Sequence, residues 1–83
     1  MRLLYFAWLR TRIGKAEETV EPPPGVDTVA ALVEWLKTRG PGFAEALKSQ
    51  RLVRVAVNRE YVGWDHRIAA GDEVALFPPV TGG

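Results

Sequence analysis

One amphipathic helical pattern, fenced on both sides by residues that forbid its extension, constrains this chain most. Val29, Leu32, Val33 and Leu36 recur at i, i+3, i+4 and i+7, which places them on one face of a helix. Ahead of them, Pro22-Pro23-Pro24-Gly25 can neither continue a helix nor pair in a ladder, so it reads as an extended connector. Asp27 or Thr28 is placed to cap the first turn. Gly40 followed by Pro41 is a strong stop signal. A lone helix must bury its stripe against another element, and the flanking segments read as strands.

Arg2 to Leu9 is a short apolar, aromatic-rich run suited to a central strand. Gly14 marks a turn, and Glu17 to Glu21 returns as a second strand. A shorter helical turn covers Phe43 to Lys48. Arg51 to Val57 alternates, with Leu52 opening the strand and Val53, Val55 and Val57 on one face. Asn58-Arg59-Glu60 is a turn, Tyr61-Val62 a brief edge strand, and Ala70-Gly71-Asp72 a further turn. Glu73 to Phe77 is the last strand, stopped by Pro78 and Pro79. The expectation is an α+β domain with a mixed sheet and one main helix on one face, the element order of the β-grasp (ubiquitin-like) fold. Ferredoxin-like and other small α+β folds compete on order alone. With 83 residues the chain makes a single domain, residues 1–83, with 78–83 as an extended tail.

Composition removes several function classes. Eleven basic against ten acidic residues leave a formal charge of +1, which argues against nucleic acid and supplies no polybasic membrane anchor. No apolar run is long enough to span a bilayer. The apolar opening is succeeded by Arg10-Thr11-Arg12 rather than a small-residue cleavage site, so the reading is a cytoplasmic protein with an intact N-terminus. The absence of cysteine excludes disulfides and thiolate metal sites. It also means that any sulfur this chain carries is not held as a cysteine persulfide.

The last residues form a chemical device. Phe77-Pro78-Pro79-Val80-Thr81-Gly82-Gly83 continues directly from a core strand, so its root is fixed. Pro78-Pro79 is stiff and projects the residues beyond it away from the body. Gly82 and Gly83 carry no side chain, so a terminal carbonyl can enter a narrow cleft unhindered. A carboxylate is a poor electrophile until it is joined to AMP as a mixed anhydride. A sulfur nucleophile can then displace AMP, leaving a thiocarboxylate whose anionic sulfur is a transferable nucleophile. Each step needs only access from an external catalytic pocket, and the small domain itself need not be catalytic.

Other residues carry blander readings. His66, the sole histidine, sits beside Asp65 without a nucleophile at a recognisable spacing, and reads as a turn residue. Gly71-Asp72 reads as turn chemistry rather than half of an Asp72–Glu73 carboxylate pair. Trp8, Trp35 and Trp64 read as core or rim packing, with Trp35 off the main helical stripe. Arg51, Arg54 and Arg59 imitate an RNA-binding strand, but the near-neutral charge makes a solvated face the better reading. Phe77, Pro78, Pro79 and Val80 make a poor surface for a free monomer and are expected to dock on partners, unless Phe77 simply closes the core.

Specific residues also resemble a known family. Phe6-Ala7 with Arg10, and Ala56-Val57-Asn58, are similar to segments of the small subunit of molybdopterin synthase. The more specific block is Asp65-His66, Ile68, Gly71-Asp72-Glu73-Val74-Ala75, then Phe77-Pro78-Pro79-Val80-Thr81-Gly82-Gly83. The resemblance covers essentially the whole chain, although Pro22 to Gly25 and Gly40 to Leu52 are not diagnostic. It implies a β-grasp fold and a non-catalytic sulfur carrier with no bound cofactor. By the same resemblance, Gly83 is adenylated at the expense of ATP by a ubiquitin-activating-like adenylyltransferase and becomes a thiocarboxylate, with Gly82 as steric clearance. The tail then enters the large subunit of molybdopterin synthase, in a heterotetramer, where sulfur passes to cyclic pyranopterin monophosphate. Phe77, Pro78, Pro79, Val80 and Thr81 are the implied partner-binding residues. Rival readings are the sulfur carrier of thiamine thiazole synthesis, a ubiquitin-like modifier joined to lysines, and a non-covalent binding module.

Overall fold

The computed structural model describes residues 1–79. The opening apolar run divides rather than extending as one strand. β1 spans Arg2–Tyr5, and α1 spans Ala7–Ile13. The expected strand to Leu9 is therefore corrected to one that ends at Tyr5. The reason is amphipathicity: Leu9 is fully buried and Trp8 and Ile13 pack on the core, while Arg10, Thr11 and Arg12 are exposed. A strand would have sent every second one of these residues to the wrong side. Ala7 makes the sharp entry at φ 56°, and the Phe6 N–H donates to the Leu76 carbonyl at 3.1 Å. The turn expected at Gly14 is a helix cap, with φ 94° and its N–H donating to the Arg10 carbonyl at 2.8 Å.

β2 is shorter than expected, spanning Glu17–Thr19, and runs antiparallel to β1 with Leu3 opposite Glu18. α2 spans Val29–Lys37 and buries Val29, Leu32, Val33 and Leu36, the stripe expected from the spacing. Its cap is Thr28, whose hydroxyl accepts from the Ala31 N–H at 3.2 Å, while Asp27 pairs with Arg67 at 2.7 Å. Gly40-Pro41 ends one helix and starts the next, because proline at the first position of a helix sacrifices no bond. α3 accordingly spans Pro41–Ala46, earlier than the expected Phe43 to Lys48.

A 3-10 turn at Gln50–Leu52 replaces the expected start of the third strand, and β3 spans only Arg54–Val57. β4 (Glu60–Val62) takes in Glu60, a residue expected in the turn, and β5 (Glu73–Phe77) falls where expected. The sheet order is β2-β1-β5-β3-β4, with β1 and β5 parallel at the centre and the other pairs antiparallel. Leu3, Tyr5, Leu9, Leu32, Leu36, Val53, Val74 and Leu76 form the buried core between sheet and helices. This is the mixed five-stranded sheet of the β-grasp fold, with α2 as the main helix and α1 and α3 beside it.

Candidate docking and tail-presentation site

β5 lies between β1 and β3, so the strand that leads to Pro78 and Pro79 is a central one held on both edges. Burial alternates along β5: Val74 and Leu76 are buried, whereas Glu73, Ala75 and Phe77 are only half-buried. Register then defines the opposite face. Phe77 stands across from Arg54, Ala75 lies between Leu4 and Ala56, and Ala56 pairs with Tyr61. The rings of Phe77 and Tyr61 lie 5.5 Å apart, and Tyr61 is 82% exposed. Phe77 does not close the core, since that role falls to Leu76 one residue earlier. Phe6 is also exposed, at 47%, beside the Leu76 carbonyl that its N–H binds. Sequence reasoning does not single out Phe6 or Tyr61 as surface residues. The available signal is the aromatic at Tyr61 in a brief edge strand, where one face has no core to cover.

Beyond Phe77, Pro78 and Pro79 are half-buried, and Pro79 lines two grooves. One, of about 530 Å³, is walled by Trp8, Arg12, Glu45, Ser49, Leu52 and the two prolines. Leu52 is half exposed there, at 51%. Arg12 and Lys48 flank Glu45 at 3.5 and 2.9 Å, and the Lys48 hydrogen bond holds that carboxyl below its ordinary range. The second groove, of about 470 Å³, is walled by Gln50, Arg51, Arg54, Trp64 and Pro79. Of the expected site residues, the structure brings Phe77, Pro78 and Pro79 together at the end of β5. Val80, Thr81, Gly82 and Gly83 lie outside the described residues.

The blander readings of His66, Asp72 and the three tryptophans are consistent with the packing, whereas the strand face expected for Arg51, Arg54 and Arg59 is not formed. The His66 carbonyl accepts the first N–H of α2, from Val29 at 3.0 Å, which makes this segment a structural turn. Asp72 accepts from the Ala69 N–H at 2.8 Å and from the Asn58 amide at 3.0 Å. Those two bonds, the Asn58 one foremost, hold the Asp72 carboxyl below its usual range. Asn58 in turn accepts from the Glu73 N–H at 3.0 Å, so two of the motif residues tie the β3–β4 turn to the start of β5. Trp8, Trp35 and Trp64 are half-buried against the core, with Arg12 over the Trp8 ring and Arg39 over the Trp35 ring. Arg51 lies in the 3-10 turn, Arg54 on β3 and Arg59 in the β3–β4 turn, so they do not share one strand face. Among the described residues, no group of three His, Cys, Asp or Glu side chains could hold a metal ion, and no helix is long and apolar enough to cross a membrane.

Fold and site together define a ubiquitin-like β-grasp protein whose last strand runs out beside an exposed aromatic ledge. The chain belongs to the ThiS family, which it matches over residues 3–83. It is 39% identical over 83 residues to the molybdopterin synthase sulfur carrier subunit of Escherichia coli K12, covering 100% of this chain and 99% of that one. A Pyrococcus furiosus structure provisionally described as molybdopterin converting factor, subunit 1, superposes with a TM-score of 0.76 at 36% identity, covering 95% of each chain. The small archaeal modifier protein 1 of Haloferax volcanii superposes with a TM-score of 0.73 at 31% identity, covering 96% of this chain and 97% of that one.

Proposed function

We propose that this chain is the sulfur carrier subunit of a molybdopterin synthase, acting in molybdenum cofactor biosynthesis through the carboxylate of Gly83. The observation that carries the reading is the end-to-end similarity to the E. coli carrier subunit, which spans the tail as well as the domain. The rooting of the tail on a central strand supports it, because a group delivered into another protein's pocket needs a fixed base. The chemistry derives from the carboxyl group. Its oxygen attacks the α-phosphorus of ATP within an activating adenylyltransferase and pyrophosphate leaves. A sulfur nucleophile then attacks the carbonyl and AMP leaves, giving the thiocarboxylate. That anionic sulfur is passed to cyclic pyranopterin monophosphate within a large subunit, in a heterotetrameric complex.

In this reading Phe77, Pro78, Pro79, Val80 and Thr81 bind the partners, Gly82 provides clearance, and Phe6 and Tyr61 extend the docking surface. The chain contributes no catalytic side chain and no resident cofactor of its own, and it works in the cytoplasm. A second reading, a protein modifier, is favoured by the likeness to the archaeal modifier protein. The deciding experiment incubates the chain with ATP, a sulfur donor and the cognate activating enzyme, then weighs it intact. Replacement of one oxygen by sulfur at Gly83 is the expected result, and loss of transfer on deleting Gly83. No mass change with a demonstrably active enzyme overturns the carrier reading, and covalent ladders on other proteins support the modifier.

A further inference from the structure

The two grooves flanking Pro79 differ in charge. Across the described residues, Arg2, Arg12, Lys15, Lys37, Arg39, Lys48 and Arg67 each have a carboxylate within ion-pair distance. In the groove beside α1 and α3, Glu45 serves both Arg12 and Lys48. The groove between the 3-10 turn and β3 contains Arg51 and Arg54 but no carboxylate. Neither arginine pairs with an acid among the described residues, and Arg54 makes only a long 3.5 Å bond to the Val53 carbonyl. Two uncompensated guanidiniums therefore line one groove at the root of the tail, in a chain that otherwise pairs most of its cations. Arg54 also walls the smaller groove against Tyr61 and Phe77, so the charge is continuous with the aromatic ledge.

We propose that Arg51 and Arg54 form a basic rim that engages carboxylates around the tail-accepting cleft of the protein receiving this tail. The proposal rests on the sulfur-carrier reading, in which the tail is delivered into a partner. The groove is open and both arginines are exposed, so a lone small anion in water gains little from them. The same charges at the edge of an apolar docking surface act mainly on encounter, by steering an acidic rim into register before the apolar core closes. The occupant is therefore a protein surface rich in Asp and Glu rather than a free phosphate.

The test uses the whole chain and the large subunit of molybdopterin synthase from the same organism, with association followed by stopped flow across ionic strengths. Relative to wild type, R51E/R54E should associate about tenfold more slowly at low salt with dissociation almost unchanged, the signature of a rim charge. The gap should close toward about 0.5 M salt as screening removes the interaction. K15E/R67E changes the charge equally but touches neither groove, and should stay close to wild type. Equal slowing in both double variants, or in neither, overturns the proposal. So does a phosphate- or AMP-induced shift of the Trp64 indole signal that R51Q/R54Q abolishes without altering association, since the groove is then a small-anion site. If wild-type chain does not associate with the large subunit at any salt, the functional reading itself fails and this one falls with it.

Discussion

Tyr61 and Phe77 come from different strands, yet their rings stand 5.5 Å apart at 41° on the sheet face opposite the core. β3 lies between their strands, contributing Ala56, across from Tyr61, and Arg54, across from Phe77. A small residue beside two large ones leaves a ledge, and the ledge leads straight to Pro78 and Pro79. Little in the fold requires this pair, because Tyr61 is 82% exposed.

Replacing either ring by alanine should accordingly separate stability from binding. Tyr61→Ala is expected to change folding stability by about 1 kcal/mol or less, as for other exposed positions, and Phe77→Ala, at a half-buried position, by about 1–2 kcal/mol. Each should weaken association with the large subunit at least tenfold, on the order of 1.4 kcal/mol or more. Calorimetric titration beside thermal unfolding measures both. Loss of stability without loss of affinity would show that the ledge belongs to the core.

Gly42 is where α3 touches α1. A Cβ there would sit 2.5 Å from the Arg12 carbonyl oxygen, a backbone atom that cannot swing aside. Gly42→Ala should destabilise the domain by about 1–3 kcal/mol through overpacking, outweighing the helix propensity that alanine brings. A denaturant midpoint equal to wild type would mean the two helices separate freely.

The β3–β4 connection has two residues with positive φ, Asn58 at 50° and Arg59 at 71°. Such two-residue hairpins favour Asn-Gly, and arginine has no local bond to compensate the left-handed conformation. Arg59→Gly should raise stability by about 0.5–1 kcal/mol. Asn58→Ala should lower it by about 1–2 kcal/mol, because the bonds to Asp72 and Glu73 are lost together. Urea unfolding of the two variants should move in opposite directions.

Acid sensitivity should centre on Glu18. Burial alone would raise its pKa, but the Arg39 guanidinium at 2.8 Å and the Tyr5 hydroxyl at 2.6 Å outweigh it, with Lys15 adding to the field. The net shift is downward. A depressed folded-state pKa stabilises above the unfolded value and is lost as pH falls through the folded one. Stability should therefore decline below about pH 4.5. Glu18→Gln should cost about 1–2 kcal/mol at neutral pH and flatten that acid limb. Its slope measured from pH 5 downward decides the matter. Tyr5 is pushed well above its ordinary range by burial and by Glu18, so it remains a donor throughout.

The local signals that proved legible were those a few residues can carry alone. The Val29–Leu36 stripe, the Gly40-Pro41 break and the strand before Pro78 each come from spacing or from a residue that forbids an alternative. Arg2 to Leu9 reads as one strand, and that reading fails for a physical reason: an apolar run of that length suits a strand or a buried helix equally. Only the need to bury Leu9 while exposing Arg10 and Arg12 resolved it. Likewise Arg51 and Arg54 read as one strand face until the 3-10 turn set them on different elements.

Sequence by itself determined the main helix, the terminal strand and its stop at Pro78, because these depend on covalent geometry and short-range periodicity. Tertiary structure alone decided that Phe77 meets Tyr61, that Pro79 stands between a groove whose two cations share Glu45 and one with no carboxylate, and that Phe6 is tied to Leu76. Those are relations between elements remote in the chain. Register and packing set them, and no local spacing encodes which strand will lie beside which.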